Sequence, residues 1–117
     1  MKTQRRLKPR RGPPGIPEQE WRNPAYLAFL RREGLCIACL KTGKRRAGLG
    51  SCDPAHGSVN GMGSKGPDKE AVPLCRIHHD EMHRINWPLF QNFYEFNRYD
   101  VAAYWWERFK SWQETST

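Results

Sequence analysis

The spacing of apolar residues predicts four helices in this chain. The first is expected to begin at Asn23 and Pro24, because asparagine caps exposed backbone amides and proline suits the first helical position. Apolar side chains at helical spacing follow as far as Arg32, and Gly34 is expected to end the helix. The pattern becomes helical again in residues 75–85.

Two more helices are predicted near the C-terminus, one restarting at Pro88 and one capped by Asp100. Most aromatic residues of the chain lie in residues 87–112, at spacings that place them on helix faces. Such residues usually pack in an interior, so core packing is the expected role. Base stacking and a dimer seam are the alternatives.

Short extended segments are predicted at 51–58, where Pro54 interrupts the strand, and at 71–74. Between them, residues 57–66 are too rich in glycine for regular structure. Residues 41–51, rich in glycine and basic residues, are expected to form an exposed loop. The extended segments therefore lie between the first helix and the second.

The length of 117 residues corresponds to one domain, residues 21–117, preceded by a tail at 1–20. Hydrophobic residues make up only 38% of the chain, and ten glycines and nine prolines limit regular structure further. We therefore expect something besides apolar burial to hold the fold together.

The formal net charge of +8 is concentrated near the N-terminus. Residues 1–48 carry thirteen Lys or Arg against three acidic residues, whereas the remainder carries seven against nine. A basic half favours binding to a polyanion, either nucleic acid or an anionic membrane surface.

The tail at 1–20 is basic and proline-rich, and it is predicted to be disordered. It is interpreted either as a DNA-binding arm or as a solvated tail or expression leader. The basic residues of the 41–51 loop either line a DNA groove or are solvated. The candidate DNA-binding residues of the two segments are Arg5, Arg6, Lys8, Arg10, Arg11, Lys44, Arg45 and Arg46.

No apolar run approaches the roughly 20 residues needed to cross a membrane, and the N-terminus has no apolar stretch typical of a signal peptide. We expect a soluble cytoplasmic protein without a membrane partner. Thiols stay reduced in that compartment, so four cysteines and four histidines favour metal binding over disulfides.

Two pairs of metal-ligand residues have matching spacing: Cys36 with Cys39, and Cys75 with His78. Each pair can wrap one ion, and a closed set of four Cys and His ligands is typical of structural zinc. We predict Zn²⁺ on these four residues, where it would supply stability that the small core lacks. The alternative is that the first two cysteines are simply small buried residues. Cys52 is expected to be a buried free thiol, or else to replace His78 as a ligand.

A second pair of potential ligands lies immediately beyond the first. His79 and His83 are four residues apart, so a helix places them on the same face, where one ion can contact both. His78 is turned about 100° away, which lets the same helix serve zinc and a second ion. Two histidines leave coordination positions open, as a catalytic metal requires.

These residues resemble the HNH, or ββα-metal, nuclease superfamily over residues 36–87. The likeness rests on DPAH at 53–56, NGMGSKGPD at 60–68 and VPLCRIHHDEMHR at 72–84. The three strings are especially similar to phage-borne Ref-type recombination-enhancement nucleases. The resemblance implies a small α+β fold in which a ββα-metal finger is braced by a zinc knuckle and followed by a helical extension at 88–117.

The resemblance also implies roles for individual histidines. His56 matches the general base that deprotonates the attacking water, and His79 and His83 match ligands of the catalytic ion. That ion is expected to be Mg²⁺ or Mn²⁺, with Zn²⁺ as an alternative. Glu81 is expected either to orient a ligand or to pair with Arg84.

Two positions depart from the family pattern. Many members have a third metal ligand directly before the base, where this chain has Ala55, so Asp53 or Asp68 is expected to substitute. The asparagine that normally braces the loop of the base is matched in spacing by Glu70. The bracing role is therefore expected to fall to Asp68 or Asn60.

The predicted function is a metal-dependent DNA endonuclease with low sequence specificity, acting in phage DNA recombination or processing within a bacterial host cell. One alternative is a zinc-stabilised DNA-binding module without catalysis. Another is an adaptor that docks on a partner such as a recombinase filament; it predicts a folded protein after removal of residues from Asp100 onward. The sequence leaves open the form of the DNA substrate, the number of strands cut, and whether the protein is a monomer or a dimer.

Overall fold

The structure is a computed structural model that describes residues 15–43, 52–57 and 66–116. It is mostly helical with one two-stranded sheet, which agrees with the expected α+β class. In chain order its elements are α1 (Glu18–Trp21), α2 (Pro24–Glu33), α3 (Ile37–Thr42), β1 (Asp53–Ala55), a 3₁₀ turn (Asp68–Glu70), β2 (Val72–Leu74), α4 (Arg76–Tyr94) and α5 (Arg98–Ser116). The candidate DNA-binding residues between Arg5 and Arg11 and between Lys44 and Arg46 lie outside the described residues.

Helix α1 begins at Glu18, within the tail at 1–20 that was predicted to be disordered, so that prediction is wrong for residues 18–20. Lys69 Nζ, in the 3₁₀ turn, lies 3.0 Å from Oε1 of Glu20 in this helix. This ion pair joins the end of the tail to the 3₁₀ turn.

Helix α2 begins and ends as predicted. The Asn23 side chain accepts a hydrogen bond from the backbone N–H of Tyr26 at 3.0 Å, and Pro24 occupies the first helical position. At the other end, Gly34 lies so close to Leu30 and Pro73 that a Cβ atom would overlap both. A glycine is therefore needed where α2 meets β2.

Helix α3 was not predicted, because its last residues belong to the segment expected to be a loop. The Thr42 hydroxyl donates to the carbonyl oxygens of Ala38 and Cys39 at 3.1 and 3.2 Å, and Gly43 ends the helix in the left-handed conformation. Lys41 is consequently helical, and the expectation of a loop from residue 41 is wrong at this end.

Strands β1 and β2 form an antiparallel pair that is shorter than expected. Asp53 pairs with Leu74, Pro54 with Pro73, and Ala55 with Val72. Because prolines stand opposite each other at the centre of the ladder, neither can donate a backbone hydrogen bond there.

The long helix α4 contains the break that Pro88 predicts. Asn86 has φ 74° and ψ 160°, outside the helical region, and separates a first half that ends near Ile85 from a second half that continues to Tyr94. Proline lacks an N–H and clashes with the preceding turn, which accounts for the break.

The cap of the last helix differs from the prediction. Helix α5 begins at Arg98, and the Asn97 side chain accepts hydrogen bonds from the N–H groups of Tyr99 and Asp100 at 2.9 and 3.1 Å. Asp100 lies in the first turn and is not the cap. The expectation failed because Asn97, three residues earlier, offers the same chemistry.

The buried side chains in the described part of the chain form two clusters. One lies between the β1–β2 pair and α4 and contains the three cysteines of the predicted zinc site together with Val72, Leu74, Met82 and Phe90. The other lies between α2 and α5 and consists of Tyr26, Phe29, Leu30, Ala71, Trp105, Trp106 and Phe109. The core role expected for the C-terminal aromatic residues is confirmed for Trp87, Phe90, Tyr94, Trp105, Trp106 and Phe109. It is wrong for Phe93, Tyr99, Tyr104 and Trp112, which are exposed.

Among the described residues, none of the helices has both the length and the apolar character needed to cross a bilayer.

Candidate functional site

Four metal-ligand side chains converge where α3 meets the start of α4. Cys36 immediately precedes α3 and Cys39 lies in its first turn, whereas Cys75 caps α4 and His78 lies in the first turn of that helix. Their ligand atoms all lie within 4.8 Å of one another, and the three cysteines are buried. Within residues 15–43, 52–57 and 66–116, no other group of three or more such side chains meets this criterion.

The distances in this cluster fit one tetrahedral ion. Zinc bonds of about 2.3 Å to sulfur and about 2.0 Å to nitrogen require ligand separations of roughly 3.8 Å for two sulfurs and 3.5 Å for sulfur and nitrogen. The Sγ atoms of Cys39 and Cys75 are 3.8 Å apart. Nδ1 of His78 lies 3.3, 3.5 and 3.3 Å from the Sγ atoms of Cys36, Cys39 and Cys75. The predicted four residues can therefore hold a structural metal such as zinc.

Cys52 is buried outside this cluster. Its thiol lies 3.5 Å from the carbonyl oxygen of Gly34, and desolvation raises its pKa to about 12. A thiol with so high a pKa is a poor nucleophile at neutral pH. Because His78 occupies the fourth corner of the cluster, the geometry favours a buried free thiol over a replacement ligand at this position.

Glu81 supports the metal cluster through an aromatic neighbour. The Tyr94 ring packs at a right angle to the His78 ring with centroids 5.4 Å apart, and its hydroxyl donates to Glu81 Oε1 at 2.6 Å. Burial raises the pKa of Tyr94 well above its ordinary value, and the bond to Glu81 raises it further. Of the two roles expected for Glu81, these contacts favour the orientation of a ligand, here through Tyr94.

His79, His83 and Asp53 form a second group on the next turn of α4. The Nε2 atoms of the two histidines are 3.2 Å apart, between the roughly 3.0 Å required of adjacent ligands of an octahedral ion such as Mg²⁺ and the roughly 3.3 Å required of two nitrogen ligands in a tetrahedral site. Asp53, at the start of β1, accepts a hydrogen bond from His79 Nδ1 at 3.0 Å. Asp53 and His83 therefore contact different nitrogens of the same ring.

His56 lies directly after β1, and it also contacts an acidic residue. Its Nε2 lies 2.8 Å from Oδ1 of Asp68, and the side chains of both residues are at least 86% buried. Oδ2 of Asp68 accepts the backbone N–H of Asn23 at 2.7 Å. Asp68, rather than Glu70, thus contacts the proposed base. Asn60, the other alternative, lies outside the described residues.

Strand β1 is fastened to α4 at both of its ends. Asp53 bonds to His79 at the start of the strand, and the Trp87 indole N–H donates to the carbonyl oxygen of His56 at 3.2 Å just beyond its end. The strand therefore holds His56 against the same helix that carries His79 and His83.

Two arginines near these histidines were not predicted. Arg76, three residues before His79, has a side chain that is 73% exposed and lies 3.5 Å from Asp53 Oδ2. Its spacing from the histidines on α4 was the available signal. Arg98 packs against Gly57 and lies over the rings of Trp87 and Tyr99, an association that no local sequence pattern indicates.

No protein-family model, curated protein or solved structure matches this chain.

Proposed function

We propose that this protein is a metal-dependent DNA endonuclease of the ββα-metal type. The observation that carries the proposal is the arrangement of three histidines: His56 lies at the end of β1, and His79 and His83 lie on α4. His79 presents Nε2 to His83 while a carboxylate holds its other nitrogen, and His56 lies on the strand that is fastened to the same helix.

His79 and His83 would hold the catalytic ion, Mg²⁺ or Mn²⁺. A divalent ion with open coordination positions neutralises charge on the scissile phosphate and stabilises the leaving oxygen. The exposed guanidinium of Arg76 lies beside Asp53 and next to His79, and we assign it to the phosphate groups of the bound strand.

His56 would act as the general base. An ionised carboxylate can only accept hydrogen bonds, so the contact with Asp68 requires the His56 proton to be on Nε2. Nδ1 is then the nitrogen that can accept a proton from water. Asp68 is itself held by the Asn23 N–H, which limits rotation of the pair.

The zinc knuckle would brace the helix that carries these ligands. Cys75 and His78 lie directly before His79, so binding of zinc to them orders the first turn of α4. In this proposal zinc stabilises the site and takes no part in the chemistry.

A second candidate is a zinc-stabilised DNA-binding module without catalysis. It is favoured by the Cys36, Cys39, Cys75 and His78 cluster together with the basic residues 1–48. Such a module needs neither a base nor a second ion. It does not explain why His56 pairs with Asp68 and His79 pairs with Asp53.

The deciding experiment is nicking of supercoiled plasmid by the full chain with added Mg²⁺ or Mn²⁺. We expect His56→Ala to lower the rate by about 10²-fold or more, because general acid–base catalysis contributes about 10²–10⁴-fold. His79→Ala should lower it by about as much, because it removes a ligand of the ion that would stabilise the leaving oxygen. Asp80→Asn, on an exposed residue next to His79, is the matched control and should retain activity. Zinc content measured on every variant verifies that the fold is kept.

Two results would contradict the proposal. Nicking that persists in both histidine variants would show that other residues, or a contaminant, perform the cleavage. DNA binding by the unaltered protein with no nicking under any divalent metal would favour the non-catalytic module.

A further inference from the structure

Asp53 joins the hairpin to the helix that bears the proposed metal ligands. It pairs with Leu74 across the sheet, which fixes its backbone, and its side chain is 29% exposed. Oδ2 lies 3.0 Å from His79 Nδ1 and 3.5 Å from the Arg76 guanidinium. One carboxylate oxygen therefore contacts two neighbours on the first turns of α4.

The contact with His79 determines which of its nitrogens carries the proton. Because an ionised carboxylate only accepts, Nδ1 must donate, and Nε2 is left with a free lone pair. That lone pair lies on the side of His83, whose Nε2 is 3.2 Å away. The ring is thus both oriented and in the tautomer that a metal on Nε2 requires.

The same geometry separates Asp53 from an ion at this position. The two nitrogens of an imidazole point away from each other, so an ion held by Nε2 of His79 would be separated from the Asp53 carboxylate on Nδ1 by the ring. Histidine ligands commonly donate their other N–H to a carboxylate in this manner, and loss of such a partner typically costs about 10–100-fold in metal affinity.

We propose that Asp53 is a positioning residue for the His79–His83 ion and is not one of its ligands. This inference rests on the proposed function, since it requires that ion to bind. The Arg76 guanidinium, 3.5 Å from Oδ2, offsets part of the negative charge of Asp53.

The test measures Mn²⁺ binding to the zinc-loaded full chain by titration calorimetry and by electron paramagnetic resonance. The variants are Asp53→Ala, Asp53→Asn, His79→Ala and the control Asp80→Asn. We expect Asp53→Ala to weaken Mn²⁺ binding about 10–100-fold, Asp53→Asn to weaken it less because its amide oxygen still accepts, and Asp80→Asn to leave it unchanged. Zinc should remain at one ion per chain in all four.

Nitrogen-15 NMR of the imidazole rings, without Mn²⁺, measures the tautomer of His79. A purely structural role of Asp53 would leave that tautomer unchanged. His79 should be in the Nδ1–H tautomer in the unaltered protein and in Asp80→Asn, and should lose that preference in Asp53→Ala. His79→Ala identifies the resonance.

The outcomes separate the two proposals. Mn²⁺ binding that is unchanged in His79→Ala overturns the proposed metal site, and the role of Asp53 with it. Binding lost in His79→Ala but within threefold of normal in Asp53→Ala overturns only the positioning role. Binding abolished in Asp53→Ala, with the His79 tautomer unchanged, identifies Asp53 as a ligand and also overturns the inference.

Discussion

Nε2 of His56 lies 2.8 Å from Oδ1 of Asp68, and this pair links the end of β1 to the 3₁₀ turn that precedes β2. The other oxygen of Asp68 receives the N–H of Asn23, the capping residue of α2. The proposed base is therefore oriented by a carboxylate that is itself held by the capping residue of α2.

Replacement of Asp68 should impair catalysis more than stability. We expect Asp68→Ala to reduce the plasmid nicking rate about 10-fold or more, because His56 loses the partner that fixes its tautomer and ring orientation. The unpartnered Asn23 N–H should cost about 1 kcal/mol in the free energy of unfolding. Nicking kinetics and urea unfolding measure the two effects.

The matched control for Asp68 is Glu70→Gln, two residues along the same turn. Glu70 matches in spacing the bracing asparagine of the HNH nucleases that the sequence resembles, yet Asp68 makes the contact with His56. Glu70→Gln should keep full activity. A large loss in Glu70→Gln, with none in Asp68→Ala, would assign the bracing role to Glu70.

The cluster of Cys36, Cys39, Cys75 and His78 predicts a contrast between two buried cysteines. Cys75→Ser should lose bound zinc and most of its thermal stability, because one corner of the tetrahedral site is removed and structural zinc supplies folding free energy. Cys52→Ala should keep one zinc per chain, since its thiol contacts Gly34 and lies outside the cluster. Elemental analysis after dialysis measures both, and zinc loss in Cys52→Ala would contradict the assignment.

The close approach of α2 to β2 predicts a steric effect at Gly34. A Cβ atom there would overlap the Leu30 carbonyl oxygen and the Pro73 ring, both of which belong to well-packed elements. We expect Gly34→Ala to lower the free energy of unfolding by about 1–3 kcal/mol, the usual cost of overpacking. A change below about 0.5 kcal/mol in denaturant unfolding would contradict this packing.

The aromatic face of α5 predicts that the helix is part of the core. Phe109 is 1% exposed and its ring lies 5.2 and 5.4 Å from the rings of Tyr26 and Phe29. Phe109→Ala should destabilise the protein by about 3–5 kcal/mol. Tyr104→Ala, on an exposed residue of the same helix, should change stability by less than about 0.5 kcal/mol.

This packing bears on the adaptor hypothesis. Removal of residues from Asp100 onward would expose the buried faces of Tyr26, Phe29 and Leu30, so the truncated chain should be destabilised or unfolded. The adaptor hypothesis predicts a folded truncated protein. Circular dichroism of that fragment distinguishes the two expectations.

The sequence by itself determined the features that depend on neighbouring residues. The cap at Asn23, the break before Pro88 and the position of His79 and His83 on one helix face all follow from local geometry over at most four residues. The four metal ligands could be predicted because each pair is only three residues apart, although the pairs themselves are distant.

Only the tertiary structure decided which acidic residue contacts which histidine. Asp53 and His79 are 26 residues apart, and Asp68 meets both His56 and Asn23, so their partners depend on how β1 and the 3₁₀ turn pack against α4 and α2. Spacing matched Glu70 to the residue that braces the base, and it left the third metal ligand open between Asp53 and Asp68. Contacts between distant segments are set by the packing of whole elements, and no local periodicity encodes them.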